Sequence, residues 1–376
     1  MKTLENIRVL DTSRLLPGAY CSLLLKDLGA EIIKIEDPVR GDYMRNMPPF
    51  LESGVSAPFA MVNRGKKSVT LNIKNEIERK KLLKLIEISD VFIESFRPGV
   101  LKKYGLDYES LKKIKKDLIY CSLSGYGQKS QNKNLASHDL NYLCLSGFIH
   151  PVEDAVPQIP LVQLGDICGG SLMAALSILS ALLKKNQSGE GSFLDISIFH
   201  GALSLMMLPF ANLQASQTSF LKEDQNVRGG VPNYKIYQTK DGRFIGFCPV
   251  EKKFMNHFLE EVGLSQLKDS FPEYLGLDHT LQEDWEKYEK ILSTLFKERT
   301  WEEWESYFKK SDVCLTPIYH KGEAFKNYQT EAFIYDKKAK FYYLKTVFSH
   351  HLSENAFDVP GLGEHTEEVL ELTTSN

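Results

Sequence analysis

The sequence predicts an α/β protein organised around a parallel sheet, with a smaller α+β region after it. Three observations predict this. Short β-rich runs alternate with helical patterns through the first 125 residues, the rhythm of consecutive β–α–β units. From residue 231 onward the texture changes to a hairpin signal followed by charged helical sequence. Finally, a chain of 376 residues exceeds one ordinary domain, and a prior of roughly 150 residues per domain gives two, in series or one inserted in the other.

Taken in order, "IRVLD" (7–11) is the first strand, and a Pro17-Gly18 turn leads into the helix "AYCSLLLKDLGA", stopped by Gly29. "EIIKIE" (31–36) and "SVTLNI" (68–73) are the next strands, then the helix "NEIERKKLLKLIEIS" and the strand "DVFIES" (90–95). "PGVLKKYG" predicts a short helix before the strand "LIYCSLSG" (118–125). The apolar run "ICGGSLMAALSILSALL" (167–183) is short for a bilayer, which needs about 20 such residues, and reads as a buried helix. "KKNQSGEGSFLDIS" is a turn and strand, followed by helix or linker to about residue 226. In "VPNYKIYQTKDGRFIGFCPV" (231–250), Lys240-Asp241-Gly242 joins two β-rich runs as a hairpin. Residues 253–310 are amphipathic helix with Trp285, Trp301 and Trp304 as core or interface anchors, and "PGLGEHTEEVLEL" (360–372) is a glycine turn feeding a terminal helix.

Composition narrows the function classes. Hydrophobic residues make up 43% and charged residues 25%, the balance of a globular protein. A net charge of −3, from 46 basic and 49 acidic residues, argues against a nucleic-acid or anionic-membrane surface over the whole molecule, so anion binding must be local. Six scattered cysteines (Cys21, Cys121, Cys144, Cys168, Cys248, Cys314) lack metal-ligand spacing and read as buried thiols in a reducing compartment. Glu5 and Arg8 interrupt any signal-peptide core, and Thr374-Ser375-Asn376 is not a peroxisomal address. The expected location is the cytoplasm.

Open parallel sheets place ligands at the carboxyl ends of their strands. The loops there carry cations: Arg40 and Arg45 in "EDPVRGDYMRN", Asn63, Arg64, Lys66 and Lys67 in "NRGKKS", and Arg97 in "ESFRPG", with Gly125, Tyr126 and Gly127 in "SGYG". Together they predict a basic, flexible rim for a phosphorylated ligand, although each taken alone is equally an ordinary polar loop. No GxGxxG opens the first helix and no GxxxxGK[ST] occurs, so neither a dinucleotide site nor a P-loop is signalled. Acid–base candidates stand at His138-Asp139 in "LASHDLNYLCLSG", at Asp166 in "LGDICGGS", and at Glu251 in "PVEKKF". Read singly, Ser137 or Asp139 caps the helix through Tyr142 and Leu145, Asp166 is an N-cap, and Glu251 is a solvated charge. That explains Asp139 but leaves the adjacent imidazole without a purpose.

Nearly the whole chain resembles the CaiB/BaiF, or type III CoA-transferase, family, and within it the α-methylacyl-CoA racemases. The resemblance rests on "VLDTSRLLPGAYCSLLLKDLGAEIIKIEDPVRGDYMR", "NRGKKSVTLNIK", "ESFRPGVLKKYGLDYESL" and "PGLGEHTEEVL". It implies a Rossmann-like large domain built from both chain ends, a small α+β domain inserted between them, and an intertwined homodimer. The implied boundaries are 1–200 for the first part of the large domain, 201–226 for a linker helix, 227–320 for the small domain and 321–376 for the return. The loop cations and glycines above become CoA-binding candidates. Asp139 falls where transferases carry their nucleophilic aspartate. Racemases precede that aspartate with a histidine, as "HDLNY" does, whereas transferases generally place a bulky apolar or aromatic residue there. Asp166 matches the second racemase base, and Glu251 the carboxylate that orients the histidine. One departure is "ASHD" in place of Gly-His-Asp, with no Gly-Pro pair after "SGYGQ".

The implied chemistry is racemisation of a 2-methylacyl-CoA. A thioester acidifies its α-carbon, and His138 and Asp166 on opposite faces exchange the proton, each alternating between acid and base, with no metal or redox cofactor required. The partner subunit's Glu251 would hold the imidazole, and backbone N–H groups at the Asp139 turn would receive the enolate oxygen. CoA transfer through Asp139, and non-catalytic binding of a CoA thioester, are the two competing expectations.

Overall fold

Six parallel strands form the frame that carries the candidate site. The computed structural model of the chain describes residues 2–150, 156–216, 229–271, 282–349 and 357–374. It divides into two compact units, Met1–Met207 with Gln329–Asn376, and Leu208–Tyr328.

In the first unit, β1 (Arg8–Asp11), α1 (Leu15–Asp27), β2 (Glu31–Glu36), α2 (Ala57–Asn63), β3 (Lys67–Thr70), α3 (Glu76–Glu87), β4 (Val91–Glu94), α4 (Tyr108–Ile114) and β5 (Ile119–Ser124) follow one another. Then come α5 (Asp139–Leu145), α6 (Met173–Ser188), β6 (Ser192–Ser197), α7 (Ile198–Ser204) and α8 (Met207–Ser216), the last running into the second unit. The strand order is β3-β2-β1-β4-β5-β6, every pairing parallel. Successive residues alternate between the two faces: Val9, Ile32, Val91 and Ile119 pack with Leu24 and Ile178, while Leu10, Ile33, Phe92 and Tyr120 pack with Leu82, Leu85 and Leu111. Both faces are covered, so consecutive strand residues such as Val9-Leu10 and Ile32-Ile33 are apolar, while Asp11, Lys34, Glu36 and Glu94 of the same strands are buried charges.

Several elements differ from the sequence expectations. α1 begins at Leu15, so Pro17 and Gly18 lie inside its first turn rather than before it. Proline is tolerated there because the first-turn N–H has no intrahelical acceptor. "PGVLKKYG" forms only a 3₁₀ turn, Leu101–Tyr104, which Gly105 ends in the left-handed region at φ +66°, and α4 was not anticipated. The apolar run extends in both directions: a π-helical segment, Gly165–Leu172, continues directly into α6. At 24 residues it is long and apolar enough to cross a membrane by length and composition, with 44% of its apolar window buried within the chain. Gly169 and Gly170 do not break it, because packing requires them. A Cβ on Gly169 would lie 2.6 Å from the backbone nitrogen of Ala202 in α7, and one on Gly201 would lie 2.0 Å from the Gly169 oxygen. The cysteines also differ from expectation. Cys21 and Cys121 are buried, Cys144 is exposed, and the other three are half-buried.

The second unit contains β7 (Lys235–Gln238), β8 (Phe244–Phe247), α9 (Lys252–Glu261), α10 (Gln282–Phe296), α11 (Trp301–Phe308) and β9 (Leu315–Pro317). Its antiparallel sheet has the order β7-β8-β9, and Gly242, at φ +80°, makes the expected hairpin turn. Trp301 and Trp304 are buried in an aromatic core with Phe247, Phe258 and Phe296, whereas Trp285 is half-buried. After α12 (Lys321–Ala332), the chain rejoins the first unit through the hairpin β10 (Phe333–Asp336) and β11 (Phe341–Leu344), and ends in α13 (Thr366–Glu371). Thr346 and Ser349 each donate a hydroxyl hydrogen bond of 2.8 Å to Asp27 at the end of α1, and the Thr70 N–H donates to the Thr366 hydroxyl at 3.1 Å.

Candidate active site

Two cavities open at the carboxyl edge of the parallel sheet. The larger, about 560 Å³, lies beyond β1 and β2 and is lined by Arg40, Lys74, Leu71 and Tyr104 among others. The smaller, about 320 Å³, lies beyond β4 and β5 and is lined by His138, Asp166, Arg97, Gly125 and Tyr126 among others. Arg14 and Phe96 line both.

The smaller cavity is built from three local structures. β5 ends in the glycine turn, where a Cβ on Gly125 would lie 2.5 Å from the Tyr142 hydroxyl, so only glycine admits that phenol. The Ser137 hydroxyl donates to the Tyr142 oxygen at 2.8 Å, which ties the loop before α5 to the helix itself. His138 occupies the N-cap position of α5, and its backbone N–H donates to Asn141 Oδ1 at 2.9 Å. Neither Ser137 nor Asp139 caps α5, contrary to the simpler expectation. Asp139 reaches across instead, and its Oδ1 accepts the backbone N–H of Asp166 at 2.9 Å, satisfying a first-turn donor of the π-helical segment. Asp166 is the second residue of that segment rather than its N-cap.

This arrangement sets the chemistry of Asp166. Burial, and secondarily the charge of Asp139, pushes its carboxyl up to about 7. A carboxylate is ordinarily too weak a base for carbon acids, and desolvation beside a like charge strengthens it toward the range suited to proton transfer at neutral pH. His138 and Asp166 thus share one cavity, whereas Asp139 is occupied with the amide of Asp166 and is not part of the lining. Glu251 is exposed at the N-cap position of α9, in the other unit.

The predicted basic rim is mostly absent. Arg40 lines the larger cavity and Arg97 the smaller, but the other cations are spent internally. Arg64 is fully buried and grips Asp27 through two bonds of 2.8 and 2.6 Å. Lys66 is buried as well, donating to Ala19 O, Ser22 Oγ and the Oδ1 of the equally buried Asn63, and burial lowers its ammonium to about 7. Arg45 forks onto Glu36 at 2.8 and 2.6 Å. Lys67 stands at the amino end of β3, paired with Glu31 and Glu368. Gly127 falls outside both linings and donates its N–H to Ser124. Sequence spacing shows which loops carry cations, but not that carboxylates from distant elements neutralise them.

Sequence reasoning passed over Arg14, Tyr43 and Phe96. Arg14 immediately follows β1 in the loop "DTSR", so the strand-end rule that singled out the other loops applied to it equally.

An open parallel sheet with cavities at its carboxyl edge, one of them lined by His138 and Asp166, has the form of an α/β protein that binds its ligand there. The pattern of CoA-transferase family III matches residues 4–366, and the chain belongs to that family. It is 31% identical over 379 residues to the alpha-methylacyl-CoA racemase of Homo sapiens, covering 98% of this chain and 92% of that one. It is 33% identical over 332 residues to the succinyl-CoA:glutarate CoA-transferase of Mus musculus, covering 88% and 75% respectively. Among solved structures, a CAIB/BAIF family protein from Brucella suis matches with a TM-score of 0.82 at 26% identity over 98% of both chains. Racemases and transferases both stand among these relatives, so the family is one of enzymes handling CoA thioesters by either reaction.

Proposed function

We propose that the chain is a racemase that interconverts the (2R)- and (2S)-forms of a 2-methylacyl-CoA thioester by two-base proton transfer. The observation that carries this is the pairing in one cavity of His138 with an Asp166 whose carboxyl is held near 7. With the thioester seated there, one base takes the α-proton, the electron pair moves onto the thioester oxygen as an enolate, and the other base returns a proton to the opposite face. The reverse direction exchanges the two roles. The first-turn N–H groups of α5 are the candidate donors to the enolate oxygen. No metal or redox cofactor is invoked.

CoA transfer through Asp139 is the competing reading; one oxygen of its carboxylate accepts the amide of Asp166 and the residue is not among those lining the cavity, which counts against it. We further propose a cytoplasmic homodimer in which the partner subunit's Glu251 orients the His138 imidazole. Leu161, Leu176 and Leu183, at 82%, 65% and 67% exposure, are apolar surface that a second copy would cover.

Incubation of a 2-methylacyl-CoA in D₂O tests the reading. Deuterium at the α-carbon together with loss of optical purity is expected. An unlabelled, optically intact thioester across several acyl chains would overturn it, and CoA transfer to an added carboxylic acid would establish the competing reading.

A further inference from the structure

Arg14 is the cation that lines both cavities. Its Nη1 donates to the Tyr43 hydroxyl at 3.1 Å, and its guanidinium carbon lies 5.3 Å from the centre of the Tyr43 ring and 5.4 Å from that of Phe96. Two aromatic faces therefore hold the guanidinium between the two spaces. Among the described residues no carboxylate forms an ion pair with it, in contrast to Arg45 and Arg64, which carboxylates hold by two bonds each. Only one of its side-chain N–H groups has an acceptor among the described residues, and a guanidinium carries five.

The backbone around Arg14 is equally determined. Its N–H donates to Ser95 Oγ at 3.0 Å, from the same loop that carries Phe96. Leu15 follows in the left-handed region at φ +63°, which side-chain-bearing residues rarely adopt, and its N–H donates to Asp42 Oδ1 at 3.2 Å. Asp42 is itself buried and paired with Lys34 at 2.8 Å. A conformation unfavourable for leucine is thus held in place from two sides, and the direction in which Arg14 leaves the backbone is fixed with it.

We propose that Arg14 is a positioning residue that holds the substrate where it crosses from one cavity to the other, through charge-assisted hydrogen bonds to the amide carbonyl oxygens of the pantetheine arm. The inference rests on the CoA-thioester reading. Under that reading, the larger cavity, with Arg40, Lys74 and Tyr104, takes the nucleotide end, and the smaller takes the thioester. The arm between them is neutral and rich in carbonyl acceptors, and Arg14 offers free donors at the crossing.

The test compares Arg14→Ala with the unaltered protein on two thioesters of the same 2-methylacyl group. One is the CoA thioester and the other the S-ethyl thioester, which lacks the nucleotide and both amides of the arm. For the CoA thioester, a rise in KM of about ten- to a hundredfold is expected, the worth of one or two hydrogen bonds to a charged donor, with kcat changed much less. For the truncated thioester, kcat/KM should stay within about twofold. An equal loss on both substrates, or no loss on either, would overturn the proposal. Calorimetry with CoA alone separates the two levels of inference. Failure of the unaltered protein to bind CoA overturns the function reading, whereas equal CoA binding by Arg14→Ala and the unaltered protein overturns only the role of Arg14.

Discussion

His138 and Asp166, the two bases proposed, are chemically unlike, and each depends on a different part of the fold. Replacing either with alanine is expected to lower racemisation by about 10²–10⁴, the usual effect of losing a positioned general base. Each variant should still wash deuterium into the enantiomer served by the remaining base, which chiral separation followed by mass measurement reads directly. Asp139→Asn isolates the electrostatic half of the arrangement. Asparagine keeps an Oδ1 to accept the Asp166 amide but removes the neighbouring charge. Burial still raises the Asp166 carboxyl, yet without the like charge it ionises more readily. In the direction where Asp166 takes the proton, the kcat/KM profile is expected to rise through about pH 7 in the unaltered protein and at lower pH in the variant. Were Asp139 the nucleophile of a transferase, the same substitution would abolish activity at every pH. At this scale the sequence made His138, Asp139 and Asp166 legible, because unlike residues stand next to each other in otherwise regular apolar spacing. It left Lys66 and Arg64 illegible as buried ions, because their neutralising partners Asp11 and Asp27 come from elements far away in the chain.

The π-helical segment is the element on which Asp166 depends, and α7 sets how it lies. Backbone packs directly on backbone at Gly169 and Gly201, so no side chain separates the two helices. Gly201→Ala forces them apart and is expected to cost about 3 kcal/mol, the upper range for overpacking a well-fitted core. A lower urea midpoint with an unchanged slope would record that loss, and racemisation should fall with it as Asp166 is displaced. A paired glycine inside an apolar run is locally a weak helix signal, and only the approach of α7 explains why the helix continues through it. The strands were easier to place, because Val9-Leu10, Ile32-Ile33 and Val91-Phe92-Ile93 turn apolar side chains toward both covered faces, and such short runs are visible without knowing what covers them. The 3₁₀ turn at Leu101–Tyr104 was less so, since its four residues carry the same composition as the start of a helix.

Across the whole first unit, Asp27 acts as a clasp. Arg64 grips it from one side while Thr346 and Ser349 reach it from the returning segment, and none of these bonds is exposed to water. Arg64→Ala would leave the buried Asp27 carboxylate with only the more distant ammonium of Lys26, 3.7 Å away, at a cost of about 3 kcal/mol, so denaturant titration should show a large loss of stability. Arg64→Lys should recover only part of it, because an ammonium cannot reproduce the two-bond fork. That both ends of the sequence form one unit was not legible from local pattern, since β10, β11 and α13 look like ordinary late elements until their partners are known; only the resemblance to the family implied it. The clasp also bears on how the protein is made. A ribosome adds roughly 5–20 residues per second, and Thr346 and Ser349 lie 319 and 322 positions beyond Asp27. The last strand of the sheet, β6, ends at Ser197, so the completed sheet waits on the order of 8–30 s for the segment that locks it, while the second unit is made in between. During that interval the nascent chain offers open apolar surface to chaperones, so a pulse-labelled, protease-resistant first unit should appear only once translation has passed Ser349.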